Sequence, residues 1–226
     1  MNFHLKTGLT LLAAVCTLSA VSSAFAQSAG QFTAKIGAAK ITPKVDSGDV
    51  SAPALPGSKV DIGSDTKPVL IFAYGITDNI SAELDLGVPY THKIYGAGAI
   101  AGTGHLGTVQ VLPPSAFIQY RFFKPEAVVR PYLGLGATYA YFRKETGSAG
   151  MTALLNTGGK PTSFNIDPKL TAAMQAGVVW NLNARWFADL TVVKSYLEVE
   201  THYSTGQTQK VKLDPFGVIV AVGYKF

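Results

Sequence analysis

The final eleven residues, FGVIVAVGYKF, alternate in steps of two between large apolar side chains and mostly small ones. Successive side chains of a strand point to opposite faces, so this segment predicts a strand with one apolar face and one narrow face. A strand of a soluble sandwich would present Thr, Lys or Glu to water on one face, and this one does not. Aromatic residues stand at both ends of the apolar row, at Phe216 and at Tyr224 and Phe226. The pattern is typical of a strand whose apolar face contacts lipid and whose ends lie at the two membrane interfaces.

Seven further segments show the same alternation. They lie near residues 31–42, 66–76, 79–90, 112–122, 130–142, 170–180 and 186–192. The connections are short at 77–79, 124–128 and 181–185, and long and rich in Gly, Pro and Ser at 43–65, 92–109, 145–166 and 202–209. This organisation predicts an all-β fold, an eight-stranded antiparallel transmembrane β-barrel with short periplasmic turns and long extracellular loops. Closure of the barrel leaves no unpaired strand edge in the hydrocarbon.

The first 26 residues predict a cleaved signal peptide that is not part of the fold. Lys6 supplies a positive start, the run GLTLLAAVCTLSAV an apolar core, and AFA a small-residue cleavage site before Gln27. The remaining residues, 27–226, are enough for one domain, which we expect to be the barrel. The one cysteine, Cys16, lies within the predicted signal, so we expect no disulfide in the mature chain.

Composition excludes several classes of function. Charges of both signs are interspersed along a chain of formal net charge +5, so we expect no nucleic-acid partner. No later segment reaches 18 consecutive apolar residues, and we therefore predict no helical membrane span. Export without helical spans leaves a periplasmic protein, a secreted protein or an outer-membrane barrel. The alternation favours the cell outer membrane of Gram-negative type over a soluble lipocalin-like or sandwich domain, whose aromatic side chains would point inward.

Aromatic residues occur where the two membrane interfaces of such a barrel need them. We expect the girdle near the short turns to contain Tyr120, Phe122, Trp180, Trp186, Tyr224 and Phe226. We expect the girdle near the long loops to contain Tyr90, Tyr139, Tyr141, Tyr196 and Phe216. The terminal pair, Tyr224 and Phe226, also resembles the C-terminal assembly signal by which the barrel assembly machinery of the outer membrane recognises its substrates.

Several segments of the chain resemble the OmpW family of small outer-membrane barrels. They are TDNISAELDLGVPYTHKI, LPPSAFIQYRFF, RPYLGLGATYAYF, NARWFADL and KLDPFGVIVAVGYKF, which occur in family order over most of residues 75–226. Residues 27–65 resemble the family more loosely. The resemblance implies an eight-stranded barrel that carries small hydrophobic compounds across the outer membrane. It does not choose between broad members of the family and specialised ones such as the alkane-uptake proteins.

Inward positions near the short turns carry charged and amide side chains. An eight-stranded barrel is only wide enough for its side chains or one small ligand, so charges of both signs confined there should pair and hydrogen-bond. We therefore predict a closed polar floor in the periplasmic half of the lumen. Its members are Lys35, Glu83, Asp85, Gln119, Arg121, Gln175, Asp189 and Lys225.

Inward positions nearer the long loops are apolar or small. They predict a pocket that opens toward the extracellular side and suits a small hydrophobic ligand. Its members are Val69, Ile71, Pro89, Val111, Pro113, Phe117, Phe142, Val193, Gly217 and Ile219. The segment AGMTALLN, residues 149–156, is compatible with a short helix that covers the pocket or packs on the barrel rim.

A ligand in this pocket cannot easily cross a charged floor, and the prolines indicate another route. Pro113 and Pro114 fall within a predicted barrel strand, where proline is normally excluded because it donates no ladder hydrogen bond. We hypothesise that the wall loosens there, with Pro89 of the neighbouring strand contributing, so that ligand exits laterally into the bilayer. The alternative is a bulge that only shapes the barrel.

The leading function is thus passive transport of small hydrophobic molecules, with outer-membrane lipid and lipopolysaccharide as further contacts. A second class is a non-transporting barrel that acts in adhesion, receptor docking or envelope stability. A third is a lipid-modifying enzyme, for which His92, His105 and His202 near the long loops are the candidates. No Ser/His/acid set or zinc-ligand spacing is recognisable, so we expect no catalytic residue, metal or cofactor.

Overall fold

The computed structural model describes residues 28–156 and 159–226, so the predicted signal peptide lies outside the described residues. Within these residues the chain forms β1 (Phe32–Thr42), β2 (Asp46–Ser47), β3 (Ser58–Ile62), β4 (Asp65–Gly75), β5 (Ile80–Gly87), β6 (Tyr90–Gly98), β7 (His105–Leu112), β8 (Ser115–Arg121), β9 (Val129–Gly147), α1 (Ala149–Leu155), β10 (Phe164–Ile166), β11 (Lys169–Asn181), β12 (Trp186–Ser195), β13 (Glu198–Tyr203), β14 (Thr208–Lys212) and β15 (Phe216–Lys225).

Eight of these strands close into an antiparallel barrel. Their order around the wall is β1, β4, β5, β8, β9, β11, β12 and β15, and β15 pairs back with β1. The arrangement confirms the predicted fold class and the eight predicted strand positions. Because every barrel strand has a partner on both sides along much of its length, the backbone polar groups of the wall are satisfied without water.

The outer surface of the barrel is apolar, as the period of two requires. Ile36 is typical: its side chain is 67% exposed and lies between Leu70 of β4 and Val222 of β15, which also face outward. Exposed apolar side chains on neighbouring strands form a continuous band rather than isolated positions. In a bilayer this band contacts hydrocarbon, which is the environment that such side chains prefer.

The four stretches that the sequence analysis assigns to long loops contain several short strands, which the prediction did not include. They contribute to two small sheets above the barrel, which we call the extension. In the first sheet, β3, β6 and β7 pair onto the upper part of β9, and in the second β10, β13, β14 and β2 pair in that order. These strands are short and interrupted by turn residues, so the alternation within each one is too brief to predict it with its buried face.

The short helix α1 lies within the extension and confirms the predicted helical segment. Its N-cap is Ser148, whose hydroxyl accepts a hydrogen bond from the backbone N–H of Met151 at 3.3 Å. No helix among the described residues is long and apolar enough to cross a membrane.

The turn end of the barrel, opposite the extension, carries a cluster of exposed and half-buried aromatic rings. Trp186 and Tyr224 meet edge to face with centroids 5.0 Å apart, and Tyr224 meets Phe226 at 5.1 Å. At the extension end, Tyr139 and Phe216 are also exposed. These positions agree with the predicted girdles, whereas the placement of Tyr90 in the upper girdle is wrong. Tyr90 begins β6 after a break in the strand, so the alternation restarts and its ring is turned inward with 3% exposure.

Candidate ligand pocket and the polar floor beneath it

A buried lysine is the centre of the polar floor. The Nζ atom of Lys35 lies 2.7 Å from Oε2 of Glu83 and 3.0 Å from Oδ2 of Asp189, and all three side chains are almost fully buried. Buried charges are tolerated only when they are paired and hydrogen-bonded. One ammonium group therefore links β1, β5 and β12 across the lumen.

Neutral side chains complete the hydrogen bonding of the two carboxylates. Gln175 donates from Nε2 to Oε1 of Glu83 at 3.2 Å, and the Tyr132 hydroxyl donates to Oδ1 of Asp189 at 3.0 Å. Thr191 bonds both Asp189 and Tyr132. The sequence analysis missed Tyr132 and Thr191 as floor residues, although both fall on inward positions of their strands.

Below this layer, toward the turn end, the floor is cationic. Arg121 donates to Oγ of Ser81 at 2.9 Å and to Oε1 of Gln119 at 2.7 Å. Arg130, a further residue that the sequence analysis missed, is buried and donates to the carbonyl oxygen of Asp78 at 2.7 Å. Lys225 is buried as well, with its Nζ 5.9 Å from the centroid of the Phe187 ring. All eight residues of the predicted floor are thus buried inside the lumen.

Glycine is required where a large floor side chain crosses the lumen. A Cβ atom placed on Gly177 would lie 2.3 Å from Cζ of Tyr132, and one on Gly223 would lie 2.2 Å from Cζ of Phe187. Both distances are far shorter than any real contact. The small residues of β11 and β15 therefore allow the rings of β9 and β12 to fill the barrel.

Above the floor the lumen is hollow. A cavity of about 140 Å³ extends from the upper part of the barrel into the extension, and its walls are mainly apolar. Seven of the ten predicted pocket residues line it. They are Val69, Val111, Pro113, Phe142, Val193, Gly217 and Ile219. The other three lie outside the lining: Ile71 and Phe117 are buried, and Pro89 follows the end of β5.

The extension supplies much of the remaining pocket wall, which the sequence analysis missed. Met151 of α1 is buried and lines the cavity. Further apolar lining residues of the extension are Val60, Ile94, Val109, Phe164, Ile166, Val199 and Val211. The alternation in segments such as EVETHY (198–203) was the available signal, but the segments are too short to show which face is inward.

The barrel wall has an unpaired seam beside the cavity. The β5–β8 ladder ends at Asp85 and Ser115, and the β6–β7 ladder starts at Tyr90 and Val111. Between them, no ladder pairing joins residues 86–89 to residues 112–114, all of which are described. Leu86, Gly87 and Pro113, which flank this seam, also line the cavity.

The two prolines affect only one side of this seam. Neither Pro113 nor Pro114 has a backbone N–H, so neither can donate across the gap toward β5. On the opposite side, the carbonyl of Pro114 accepts a hydrogen bond from the N–H of Tyr139 at 2.9 Å. The segment is therefore held to β9 while it is free of β5.

The three candidate histidines have separate neighbours. The Nδ1–H of His92 donates to the carbonyl of Gly63 at 2.7 Å, and burial lowers the pKa of this imidazole. His105 contacts the ring of Tyr95, and His202 lies 3.8 Å from Asp167. Among the described residues, no group of three or more His, Cys, Asp or Glu side chains is arranged to hold a metal ion.

Comparison with known proteins gives consistent matches. The model of the OmpW family matches residues 28–226. Outer membrane protein W of Salmonella typhi is 31% identical over 223 residues, which cover 96% of this chain and 98% of the relative. The crystal structure of OprG from Pseudomonas aeruginosa has a TM-score of 0.79 at 25% identity, over 89% of this chain and 98% of OprG. The structure of outer membrane protein AlkL in DMPC bilayers has a TM-score of 0.70 at 26% identity, over 93% and 95% of the two chains.

Proposed function

Because this chain belongs to the OmpW family and is an outer-membrane β-barrel, we propose that it carries small hydrophobic molecules passively across the outer membrane. The observation that carries the proposal is the apolar cavity above the floor, on the side of the long connections, which face the cell exterior in such barrels. A small apolar ligand gains free energy by leaving water for such a cavity.

Because the floor is closed, we infer that the ligand does not continue along the barrel axis. A route to the turn end would have to separate Lys35 from Glu83 and Asp189 and expose them to an apolar ligand. Breaking a buried ion pair costs about 3–5 kcal/mol, without compensation from a ligand that has no charge. Axial passage of a hydrocarbon is therefore the unfavourable route.

The seam beside the cavity supports lateral exit into the bilayer. Because no ladder hydrogen bond joins residues 112–114 to β5, the two segments can separate while residues 112–114 stay bonded to β9. Leu86 and Pro113 lie at the boundary between the cavity and this seam. A hydrophobic ligand would thus move from one apolar environment to another, and the outer-membrane lipid would be the acceptor.

Uptake of a hydrophobic fluorescent dye by cells or proteoliposomes tests the proposal. Gly217→Phe places a ring toward the cavity, since a Cβ on Gly217 would lie at an ordinary 3.6 Å from Cβ of Val193. We expect dye uptake to fall about tenfold or more. The matched control is Ala38→Phe, which adds the same ring to the lipid-facing side of β1 and should leave uptake unchanged.

Two outcomes would contradict the proposal. Equal uptake by the wild type and folded Gly217→Phe would exclude the cavity as the route and favour a non-transporting barrel that serves docking or envelope stability. Equal loss in both variants would attribute the effect to a general disturbance of the barrel. Far-UV circular dichroism of the purified variants reports whether each one is folded.

A further inference from the structure

The boundary between the floor and the pocket contains a carboxylate that the floor does not use. Asp85 is on the inward face of β5, opposite Ile71 of β4 and Ser115 of β8. Asp85 is 8% exposed and lines the cavity. Its Oδ1 atom has no hydrogen-bond partner among the described residues. A buried acceptor without a donor is costly, so this atom is a position where a ligand group would be stabilised.

The charges of the neighbouring floor do not neutralise Asp85. The ammonium group of Lys35 is already bonded to Glu83 and Asp189, and Asp85 forms no ion pair within the described part of the chain. This layer therefore holds three carboxylates for one ammonium. Burial without a partner disfavours the ionised form of Asp85, and a cation bound beside it would stabilise that form, because attraction is strong in a region of low dielectric.

A row of hydroxyl groups continues the polar boundary beside Asp85. Oγ of Ser115 lies 2.8 Å from Oγ1 of Thr138, which lies 3.5 Å from Oγ of Ser195. All three residues line the cavity. Hydroxyl oxygens accept hydrogen bonds as well as donate them, so they provide additional acceptors for a donor-rich head group. Above this row the cavity walls are mainly apolar.

We propose that Asp85 and this hydroxyl row bind the protonated primary amine of a small amphipathic ligand whose apolar body occupies the pocket. The proposal rests on the proposed transport through the same cavity and adds the class of ligand that the cavity prefers. An ammonium group has three donors and no acceptor, which matches a site composed of a carboxylate and hydroxyl oxygens. A carboxylate ligand would be repelled, and a pure hydrocarbon would leave Oδ1 of Asp85 unpaired.

A pair of fluorescent probes with the same ring tests this preference. The protein is reconstituted in nanodiscs of neutral phosphatidylcholine, and binding of 1-naphthylmethylamine and 1-naphthylmethanol is measured at pH 7.5 after subtraction of empty nanodiscs. The amine is protonated at this pH, and the alcohol is neutral. Hydrogen bonds between charged groups are worth more than neutral ones, so we expect the wild type to bind the amine about tenfold more tightly than the alcohol.

Substitution of the carboxylate should remove this preference. Asp85→Asn keeps the shape of the side chain, and we expect it to lower the affinity for the amine about tenfold and to change that for the alcohol less than twofold. Asp61→Asn, at an exposed carboxylate of β3, is the matched control for a change in net charge and should bind both probes like the wild type.

The outcomes separate this inference from the proposed function. If wild type binds both probes with equal affinity, the ligand pocket stands and the amine preference is overturned. If wild type binds neither probe, the proposed transport pocket itself fails, and the inference fails with it. A preference for the amine that persists in folded Asp85→Asn would place the recognition elsewhere and overturn the role of Asp85.

Discussion

The lower and upper halves of the lumen are enclosed by the same eight strands, yet one is filled with paired charges and the other is hollow and apolar. In the lower half, long side chains such as Lys35, Arg121 and Tyr132 extend from different strands and meet inside the barrel. In the upper half, small inward residues such as Ala39 and Gly217 leave the space open. Strand number sets the width of the barrel, and the size of the inward side chains decides whether that width is occupied.

The largest difference in stability between the two halves is expected on substitution of the buried Lys35. Lys35→Met leaves Glu83 and Asp189 buried without their cation, and we expect the free energy of unfolding to fall by about 3–5 kcal/mol. Urea unfolding of the refolded protein in detergent measures the change. Lys40→Met removes an exposed lysine from the same strand and should be close to neutral. Equal stability of the two variants would show that the ion pairs of the floor do not contribute to stability.

Substitution of two glycines should give a smaller difference in the free energy of unfolding between the filled and the hollow half. Gly177→Ala places a methyl group against the Tyr132 ring, and overpacking of this kind costs about 1–3 kcal/mol. Gly217→Ala adds the same methyl group at the pocket wall, at an ordinary contact distance from Val193, and should cost well under 1 kcal/mol. The two variants are compared by the same unfolding measurement. A larger loss at Gly217 would contradict the description of the upper half as hollow.

The seam is expected to affect transport more than stability. Replacing Pro113 and Pro114 together with Val restores two backbone N–H groups, of which that of residue 113 can face β5, because residue 114 faces β9. A net gain of about 1 kcal/mol from this one hydrogen bond would slow opening roughly fivefold, so we expect dye uptake to fall by about that factor. Pro131→Val, in β9 near the turn end and outside the cavity lining, is the control and should transport at the wild-type rate. Unchanged uptake by the folded double variant would leave the prolines with only a shaping role.

The smallest expected effect concerns the extension and depends on pH. Burial lowers the pKa of His92, partly opposed by the hydrogen bond to Gly63 and the charge of Asp65, so the folded state disfavours the protonated ring. The unfolded chain binds that proton near pH 6.5, and stability present above this pH is therefore lost as the pH falls below it. We expect faster amide hydrogen exchange in β6 at pH 5 than at pH 7.5, after correction for intrinsic rates. His92→Gln should remove this dependence, whereas His202→Gln, at an exposed position, should retain it.

The barrel strands were predictable because their alternation is long and local. Each one shows a lipid-facing set and a lumen-facing set within about ten residues, and the turn residues between them mark the ends. The floor was predictable in composition for the same reason, since Glu83 and Asp189 can face only the lumen if their neighbours face lipid. Which of these residues bond each other, and the participation of Tyr132, required the register between strands.

The upper wall of the pocket was not predictable in this way. Segments such as YTHKI and EVETHY are short, and either face of each could have been buried. Tyr90 is the clearest example, because the break after Gly87 shifts the alternation and turns its ring from the lipid into the cavity. Similarly, Ile71 and Phe117 have inward positions, but the local pattern does not show whether the neighbouring side chains inside the lumen separate them from the cavity.

The amino-acid sequence by itself determined that this chain crosses the membrane with eight strands and that the turn half of the lumen is charged. Hydrocarbon permits only one orientation of an alternating strand, so the direction of every barrel side chain follows from the local pattern. Only the tertiary structure decided that the long connections fold into two sheets, that Lys35 serves two carboxylates and that Asp85 is left facing the cavity. These features depend on which strands pair and in what register, which no local pattern encodes.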